Sequence, residues 1–343
     1  MALDFYPKKE QALNALERMK QEGAVAPDAV LNLDAPGGLR KEVVYKDADF
    51  EFVLRQYIQK DDNAKARTVA SRNEIQRTLA KMKQHKLVAP DASFNFKSIS
   101  VKRREVALRD YDLLYCLGET QDEAIVDSAA GFLKERGIIG PDAGYDKGEF
   151  ERFRAGVKDG FEIRWTSFSP AMERLLYFLS LVKKPERMIG IGIFCGYTFV
   201  WNVGYAYLPE NRSSGGEIYG VDIDGPSMDI TRSNFDAFGK PDRLNLLAED
   251  GVAVARRLQG PFDYIYLDAD GEENGKKLSL ELLEILYDKL SPGGWVLTHD
   301  TAGWEFQDDF KEYFQFVRDK GKFSDSVLFH IDCYGVEMSI KNR

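Results

Sequence analysis

Three polar residues stand at the ends of two apolar runs: Asp268 after Phe262–Leu267, and His299-Asp300 after Trp295–Thr298. If both runs are strands of one parallel sheet, their carboxyl ends share an edge and the three side chains converge. Two carboxylates and an imidazole can hold one cation or take one substrate proton. Carboxylate oxygens suit Mg, Ca or Mn, and adding an imidazole leans towards Mn, Fe or Zn. Consecutive strand residues point to opposite faces, so His299 and Asp300 act together only where the strand has ended. With His299 alone facing inward, it is a general base titrating near neutral pH. The plainer alternative is that Asp268 and Asp300 cap the helices that follow them. His85 and His330 are isolated and suit a surface and a strand position.

A second group is built on glycine. Gly190-Ile191-Gly192-Ile193-Phe194-Cys195-Gly196 leaves an apolar run and enters a helix at Tyr197-Thr198. Glycines there permit a tight turn and let a ligand approach the backbone. The spacing is G-x-G-x-x-x-G, which departs from the G-x-G-x-x-G of dinucleotide sites and favours an adenosyl ligand without a pyrophosphate. About thirty residues on, the next run ends in Asp222-Ile223-Asp224, where a carboxylate can accept both ribose hydroxyls. Asp250-Gly251, after Leu244–Leu247, is placed to line an adenine pocket. For a lone Asp, a helix cap is the commoner role.

The elements that must position these residues follow from periodicity. Met172, Leu175, Leu176 and Leu179 repeat at helical spacing, so Ser169-Pro170 opens an amphipathic helix. Short apolar runs follow at Met188–Ile193, Ile218–Asp222, Leu244–Leu247, Phe262–Leu267 and Trp295–Thr298, separated by helical segments such as Leu280–Leu290. That alternation predicts a mostly parallel sheet covered on both faces. Val327–Ile331 and Val336–Ile340 flank Tyr334-Gly335 as a hairpin, so the last strand is expected to be antiparallel. Met188–Leu208 runs 21 residues without a charge, but its glycines, Thr198 and Asn202 argue against a membrane helix.

Ahead of this pattern the chain repeats itself. Leu16–Ala29 (LERMKQEGAVAPDA) returns 63 residues later as Leu79–Ala92 (LAKMKQHKLVAPDA), and Arg40-Lys41-Glu42-Val43 as Arg103-Arg104-Glu105-Val106. Asp47 and Asp49 return as Asp110 and Asp112, and a shorter third copy, LKERGIIGPDA, spans Leu133–Ala143. Each unit starts with a helix (Leu13, Leu16, Met19) that meets a proline shortly after its end. The sequence therefore divides into a mainly helical domain, 1–165, and an alternating domain, 166–343, with the change of pattern at Trp165. The repeats suit a lid, a substrate surface or a dimer contact, or only packing.

Composition narrows the chemistry. Among 343 residues, 44% are apolar and 30% charged, enough for a core and unlike a disordered chain. Cys116, Cys195 and Cys333 match no zinc spacing, and the N-terminus MALDFYPKKE holds no apolar signal core, so a reduced, cytoplasmic setting is expected. Residues 1–165 balance 28 Lys and Arg against 28 Asp and Glu; residues 166–343 carry 19 against 28, the whole net charge of −9. An acidic half repels phosphate backbones, which excludes nucleic acid and favours a small molecule.

Together these residues resemble a class I S-adenosylmethionine-dependent methyltransferase, in particular the caffeoyl-CoA and catechol O-methyltransferase group, over Ser167–Lys341. The resemblance rests on Ser169-Pro170, on Ile191-Gly192-Ile193-Phe194-Cys195-Gly196-Tyr197-Thr198, on Asp222-Ile223-Asp224, and on Phe262–Asp270 ending in Asp-Ala-Asp. Pro292-Gly293-Gly294 and Tyr334–Lys341 complete it. It implies a Rossmann-like, doubly wound, seven-stranded sheet with an antiparallel last strand. It also implies that Gly190, Gly192, Phe194, Gly196, Tyr197, Thr198, Asp222, Ile223, Asp250, Gly251 and Asp268 hold S-adenosylmethionine. By the same resemblance Asp268, His299 and Asp300 occupy metal-ligand positions for Mg, Mn or Fe. Three features depart: the family's Glu is here Gly190, its Lys after Asp-Ala-Asp is Gly271, and its Asp-Asn metal pair is His299-Asp300.

The function expected is O-methylation of a small metabolite's hydroxyl, with His299 and Asp268 at the reaction. Methyl transfer from a sulfonium is an in-line displacement, so the protein mostly positions donor and acceptor. N-methylation of an amine or amino acid is the alternative, and a non-catalytic adenosine-binding or assembly protein is the alternative of another class. A homodimer is expected, with neither nucleic acid nor membrane as partner.

Overall fold

A computed structural model of the chain describes residues 3–33, 38–58, 70–96, 102–164, 168–209, 211 and 216–343. Trp165, where the sequence pattern changes, and Ser167, where the resemblance begins, lie outside the described residues. The chain forms two compact units, one of residues 7–121 and one of residues 1–6 and 122–343.

After strand β1 (Leu3–Phe5), the first unit holds α1 (Lys9–Gln21), β2 (Val30–Asn32), β3 (Glu42–Val43) and α2 (Ala48–Ile58). Its second half repeats that order with α3 (Arg72–Gln84), β4 (Ser93–Phe94), β5 (Glu105–Ala107) and the start of α4 (Tyr111–Glu135). The two halves exchange strands: β2 pairs with β5, and β3 with β4, all parallel. Side chains repeat the exchange. Glu42 accepts from Asn95 (2.8 Å) and from the Arg104 N–H (2.6 Å), while Glu105 accepts from Asn32 and from the Lys41 N–H (2.6 Å). At the centre, Arg40 and Arg103, both almost wholly buried, share Asp47 and Asp110 at 2.9–3.4 Å. The sequence repeat is therefore one intertwined body with internal pseudo-twofold symmetry.

The unit boundary falls at Gln121/Asp122, where the expectation put it near 165. At Gln121 the α4 backbone leaves helical geometry (φ −138°, ψ 22°). The α4 segment before it is the counterpart of α2, so the duplication is complete there. Beyond it, Asp122 pairs with Arg154 of α5 (Lys147–Gly160) at 2.6 Å and with Arg174 of α6 (Pro170–Lys183) at 2.8 Å. The third repeat copy, Leu133–Ala143, belongs to the second unit. It keeps the helix-ending turn: Ile138 N–H donates to Leu133 O as Ala24 does to Met19 O and Leu87 to Met82 O.

The second unit continues with β6 (Met188–Ile191), α7 (Tyr197–Asn202), β7 (Ile218–Asp222), α8 (Gly225–Ala237), β8 (Leu244–Ala248) and α9 (Gly251–Arg257). It ends with β9 (Phe262–Leu267), α10 (Leu278–Tyr287), β10 (Leu290–His299), α11 (Lys311–Val317), β11 (Phe323–Phe329) and β12 (Val336–Lys341). All five sequence-predicted parallel strands are present. The sheet order is β1-β11-β12-β10-β9-β6-β7-β8. β12 is antiparallel to both neighbours, as expected for the last strand. There are eight strands where seven were expected, because Leu3–Phe5 adds parallel to β11. Alternate residues Ile189, Ile191, Val221, Ile265, Leu267 and Val296 bury one face under Val254, Leu282, Leu286 and Tyr313 of α9, α10 and α11. On the other face Gly190 and Gly220 lie side by side, and a Cβ on either would stand within 2.8 Å of the Phe199 ring of α7. The uncharged stretch Met188–Leu208 is thus a strand, a loop and two short helices. Among the described residues no helix is long and apolar enough to cross a membrane.

One buried charge in this sheet has a measurable consequence. Glu337 on β12 has no solvent exposure, and its carboxylate accepts from Arg318 Nε and Nη2, both at 3.3 Å. Burial pushes its carboxyl up from 4.5 to about 7, with Arg318 opposing only in part. A raised folded-state value means stability present below pH 4.5 and lost as pH rises through about 7. The loss is on the order of 3 kcal/mol for a shift of this size. Glu337→Gln should flatten the unfolding free energy across that window in denaturant titrations. A slope equal to that of the wild type would contradict the assignment.

Candidate functional site

The order β9-β6-β7 places the reversal of strand order between β6 and β9, the crevice where open α/β sheets take ligands. The glycine loop leaves β6 there. Gly192 has φ +83°, and a Cβ on it would lie 2.3 Å from Ala269 N, so the loop rests on the backbone that follows β9. Asp268 N–H donates to Ile191 O at 2.9 Å and ties the two strand ends together. Gly196 (φ +82°) starts α7. Gly190 does different work: it lies within β6 and makes room for Phe199.

Asp222 ends β7. One of its oxygens accepts from the Phe194 N–H at 2.7 Å and the other from the Asp224 N–H at 2.9 Å. Each oxygen keeps a lone pair, so Asp222 both shapes the loop and can take a ligand hydroxyl. Phe194 and Ile223, the neighbours of these contacts, are 42% and 72% exposed. Two bare apolar side chains beside a half-satisfied carboxylate suit a ligand with a flat apolar ring and a vicinal diol. The residues present therefore fit an adenosyl group.

Other expected contact residues also make contacts within the protein. Asp224 caps α8 by accepting from Ser227 N, and Asp250 caps α9 by accepting from Ala253 N. A Cβ on Gly251 would lie 2.6 Å from Ile191 Cγ2, so its smallness is used in packing. Tyr197 is buried, and its hydroxyl bonds to Glu173 and Lys158, so its side chain is committed inward. Thr198 lies beside the Tyr266 phenol. His330 stacks on Tyr6 at 4.2 Å, and His85 ends α3.

The second group converges as its spacing suggests. β10 runs in register with β9, Thr298 opposite Leu267, so His299 comes beside Asp268. The strand ends at His299, and Asp300 turns left-handed with φ +65°. Thr298 meets Tyr313 on one face (2.6 Å), and a continued strand would send Asp300 to that same face. The turn instead brings Asp300 Oδ1 to 3.0 Å from His299 Nδ1, whose distance to Asp268 Oδ1 is 3.3 Å. Tyr266 donates to Asp268 Oδ2 at 2.9 Å. Phe168 packs on the imidazole at 4.7 Å between ring centres, and His299 Nε2 is buried without a hydrogen-bond partner among the described residues. Burial opposes a charge on His299, but Asp300 and Asp268 outweigh it and hold the imidazole protonated well above its ordinary range. With both carboxylates facing Nδ1, that nitrogen is placed to donate to them.

Lys276 is the residue that spacing did not disclose. Gly271 and Gly275 exchange two backbone hydrogen bonds (3.0 and 2.9 Å), closing a small loop after Asp270. The loop returns Lys276 into the cluster, with Nζ 2.6 Å from Asp300 Oδ2 and 3.5 Å from Asp268 Oδ1. Its side chain is 6% exposed. Burial disfavours its charge, yet Asp268 and Asp300 raise it above the usual lysine value; burial likewise opposes the Asp300 charge, which His299 and Lys276 then hold well below the carboxylate range. The glycine pair flanking Glu272-Glu273-Asn274 was the available signal. A donor atom from each of Asp268, His299 and Asp300 lies within 4.8 Å of the others, the right set for a divalent ion. They do not fit one as arranged, because an ammonium already bridges the carboxylates.

Residues 189–301 match the protein-family model described as a methyltransferase domain. The chain is similar to O-methyltransferase ankF of Aspergillus thermomutatus, 24% identical over 156 residues, covering 44% of this chain and 61% of that protein. It is 29% identical over 105 residues to O-methyltransferase hkm8 of Aspergillus hancockii, covering 31% and 40%. A caffeoyl-CoA O-methyltransferase of Stellaria longipes is 25% identical over 144 residues, covering 40% and 54%. The chain thus spans about half the length of the curated relatives it matches.

Proposed function

We propose that the chain is an S-adenosylmethionine-dependent O-methyltransferase acting on the hydroxyl of a small molecule. The observation that carries this is the meeting, at one sheet edge, of the glycine loop with Asp222 and of Asp268 with His299 and Asp300. The O-methyltransferase names of the similar proteins support it.

When bound, S-adenosylmethionine supplies an electrophilic methyl group. Asp222, Phe194 and Ile223 hold the adenosyl end in this reading. In this reading the Nε2–H of His299 would place the acceptor oxygen, and Asp268 would take the hydroxyl proton as that oxygen receives the methyl group. Donors fixed before the reaction stabilise the developing oxyanion without reorganising. The duplicated unit, which contains none of these residues, is proposed as a cover for the acceptor or a homodimer contact. N-methylation lacks a supporting observation here.

Incubation with methyl-labelled S-adenosylmethionine and a panel of phenols, alcohols and amines tests the reaction. Label recovered in ethers is the expected result; label confined to amines would overturn the O-methyl assignment.

A further inference from the structure

We infer that Lys276 is a built-in cation standing in place of a divalent metal, so that the acceptor site of this chain operates without a bound metal ion. The inference rests on the O-methyltransferase reading for its catalytic meaning, but the cation assignment stands on geometry alone. Lys276 is anchored at both ends: its backbone N–H donates to Asp309 Oδ2 at 3.2 Å, and its ammonium reaches Asp300 Oδ2, Asp268 Oδ1 and the Asp268 carbonyl oxygen (3.4 Å). Phe306 covers it, with its ring centre 5.5 Å from Nζ.

A divalent ion here would draw on the same carboxylate oxygens, at about 2.0–2.6 Å. That would set it against an ammonium whose side chain is only 6% exposed. The imidazole Nδ1 is itself turned to both carboxylates, 3.0 Å from Asp300 Oδ1 and 3.3 Å from Asp268 Oδ1. The ammonium already stands between the two carboxylates, so a divalent ion on the same oxygens would bring two more positive charges against it. Removing the ammonium reverses the argument: the site then has carboxylates to spare and the donor set of a metal centre. Lys276 is therefore a positioning residue that fixes Asp268 and Asp300 for the acceptor.

The test is Mn2+ binding to the full chain, read by electron paramagnetic resonance, with S-adenosylhomocysteine affinity measured separately by calorimetry. The wild type is expected to take up no Mn2+ in the micromolar range, and Lys276→Met to bind one ion about tenfold more tightly or better. Lys276→Arg, which keeps the charge, should refuse Mn2+ like the wild type. One Mn2+ bound per wild-type chain would overturn the inference whether or not the variants fold. Equal Mn2+ affinity in the wild type and a folded Lys276→Met would overturn it as well. Failure of S-adenosylhomocysteine to bind would remove the methyltransferase reading and leave the cation assignment to the Mn2+ result.

Discussion

Gly192→Ala is expected to abolish most cofactor affinity, about tenfold or more, while Gly131→Ala leaves it unchanged. The two glycines differ in what a methyl group would meet. At Gly131, within α4, nothing lies within 4 Å of an added Cβ. At Gly192 the Cβ would stand 2.3 Å from Ala269 N and 2.5 Å from both Ala269 Cα and Asp268 C. These are backbone atoms of the strand end that carries Asp268, so they cannot swing aside as a side chain can. The φ of +83° adds the cost of a left-handed conformation for a residue with a Cβ, roughly 1–2 kcal/mol. Overpacking adds about 1–3 kcal/mol. Relief requires the loop to lift, which pulls Phe194 N–H from Asp222. Titration of S-adenosylhomocysteine into both variants checks this. Wild-type affinity in Gly192→Ala would mean that the ligand does not use the loop.

The largest stability effect is expected in the duplicated unit. Arg40 is 1% exposed and contacts Asp110 (2.9 Å), Asp49 (3.1 Å) and Asp47 (3.4 Å). Burial opposes its charge, but these carboxylates raise its pKa above the usual value. Arg40→Ala would leave buried carboxylates without their cation, a loss of about 3–5 kcal/mol for a broken buried pair. Arg103→Ala should cost less: it shares the inner carboxylates, but its outer partner Asp112 is 42% exposed where Asp49 is 18%. Solvent already screens that arm. Denaturant unfolding followed by circular dichroism checks both. A loss below about 1 kcal/mol for Arg40→Ala would show the network to be expendable.

Much of the eight-stranded sheet was legible, because buried parallel strands are short apolar runs bounded by loops. Ile218–Asp222 and Phe262–Leu267 come out residue for residue, and their ends delivered Asp222 and Asp268. What escaped was decided by contacts remote in sequence. Strand β1 has three residues and owes its existence to pairing with β11. Asp224 and Asp250 stand where a ligand carboxylate and a helix cap look alike, and only the hydrogen bonds to Ser227 N and Ala253 N tell them apart. Gly190 sits in a motif yet answers to Phe199. Lys276 was hidden because the position directly after Asp-Ala-Asp is Gly271, and a closed loop, which spacing does not reveal, brings the next lysine back. The contact division at Gln121/Asp122 differs from the change of sequence pattern at Trp165, because Asp122, far from both in sequence, pairs with Arg154 and Arg174.

The central claim is that the loop Gly190–Gly196 and Asp222 form an S-adenosylmethionine site. Calorimetric titration of S-adenosylhomocysteine into the wild type and into Asp222→Ala tests it most directly. One ligand per chain is expected, with affinity in the variant weaker by about 1–3 kcal/mol, the range for lost hydrogen bonds to a charged group. No binding to the wild type, or equal affinity in Asp222→Ala, would contradict the claim.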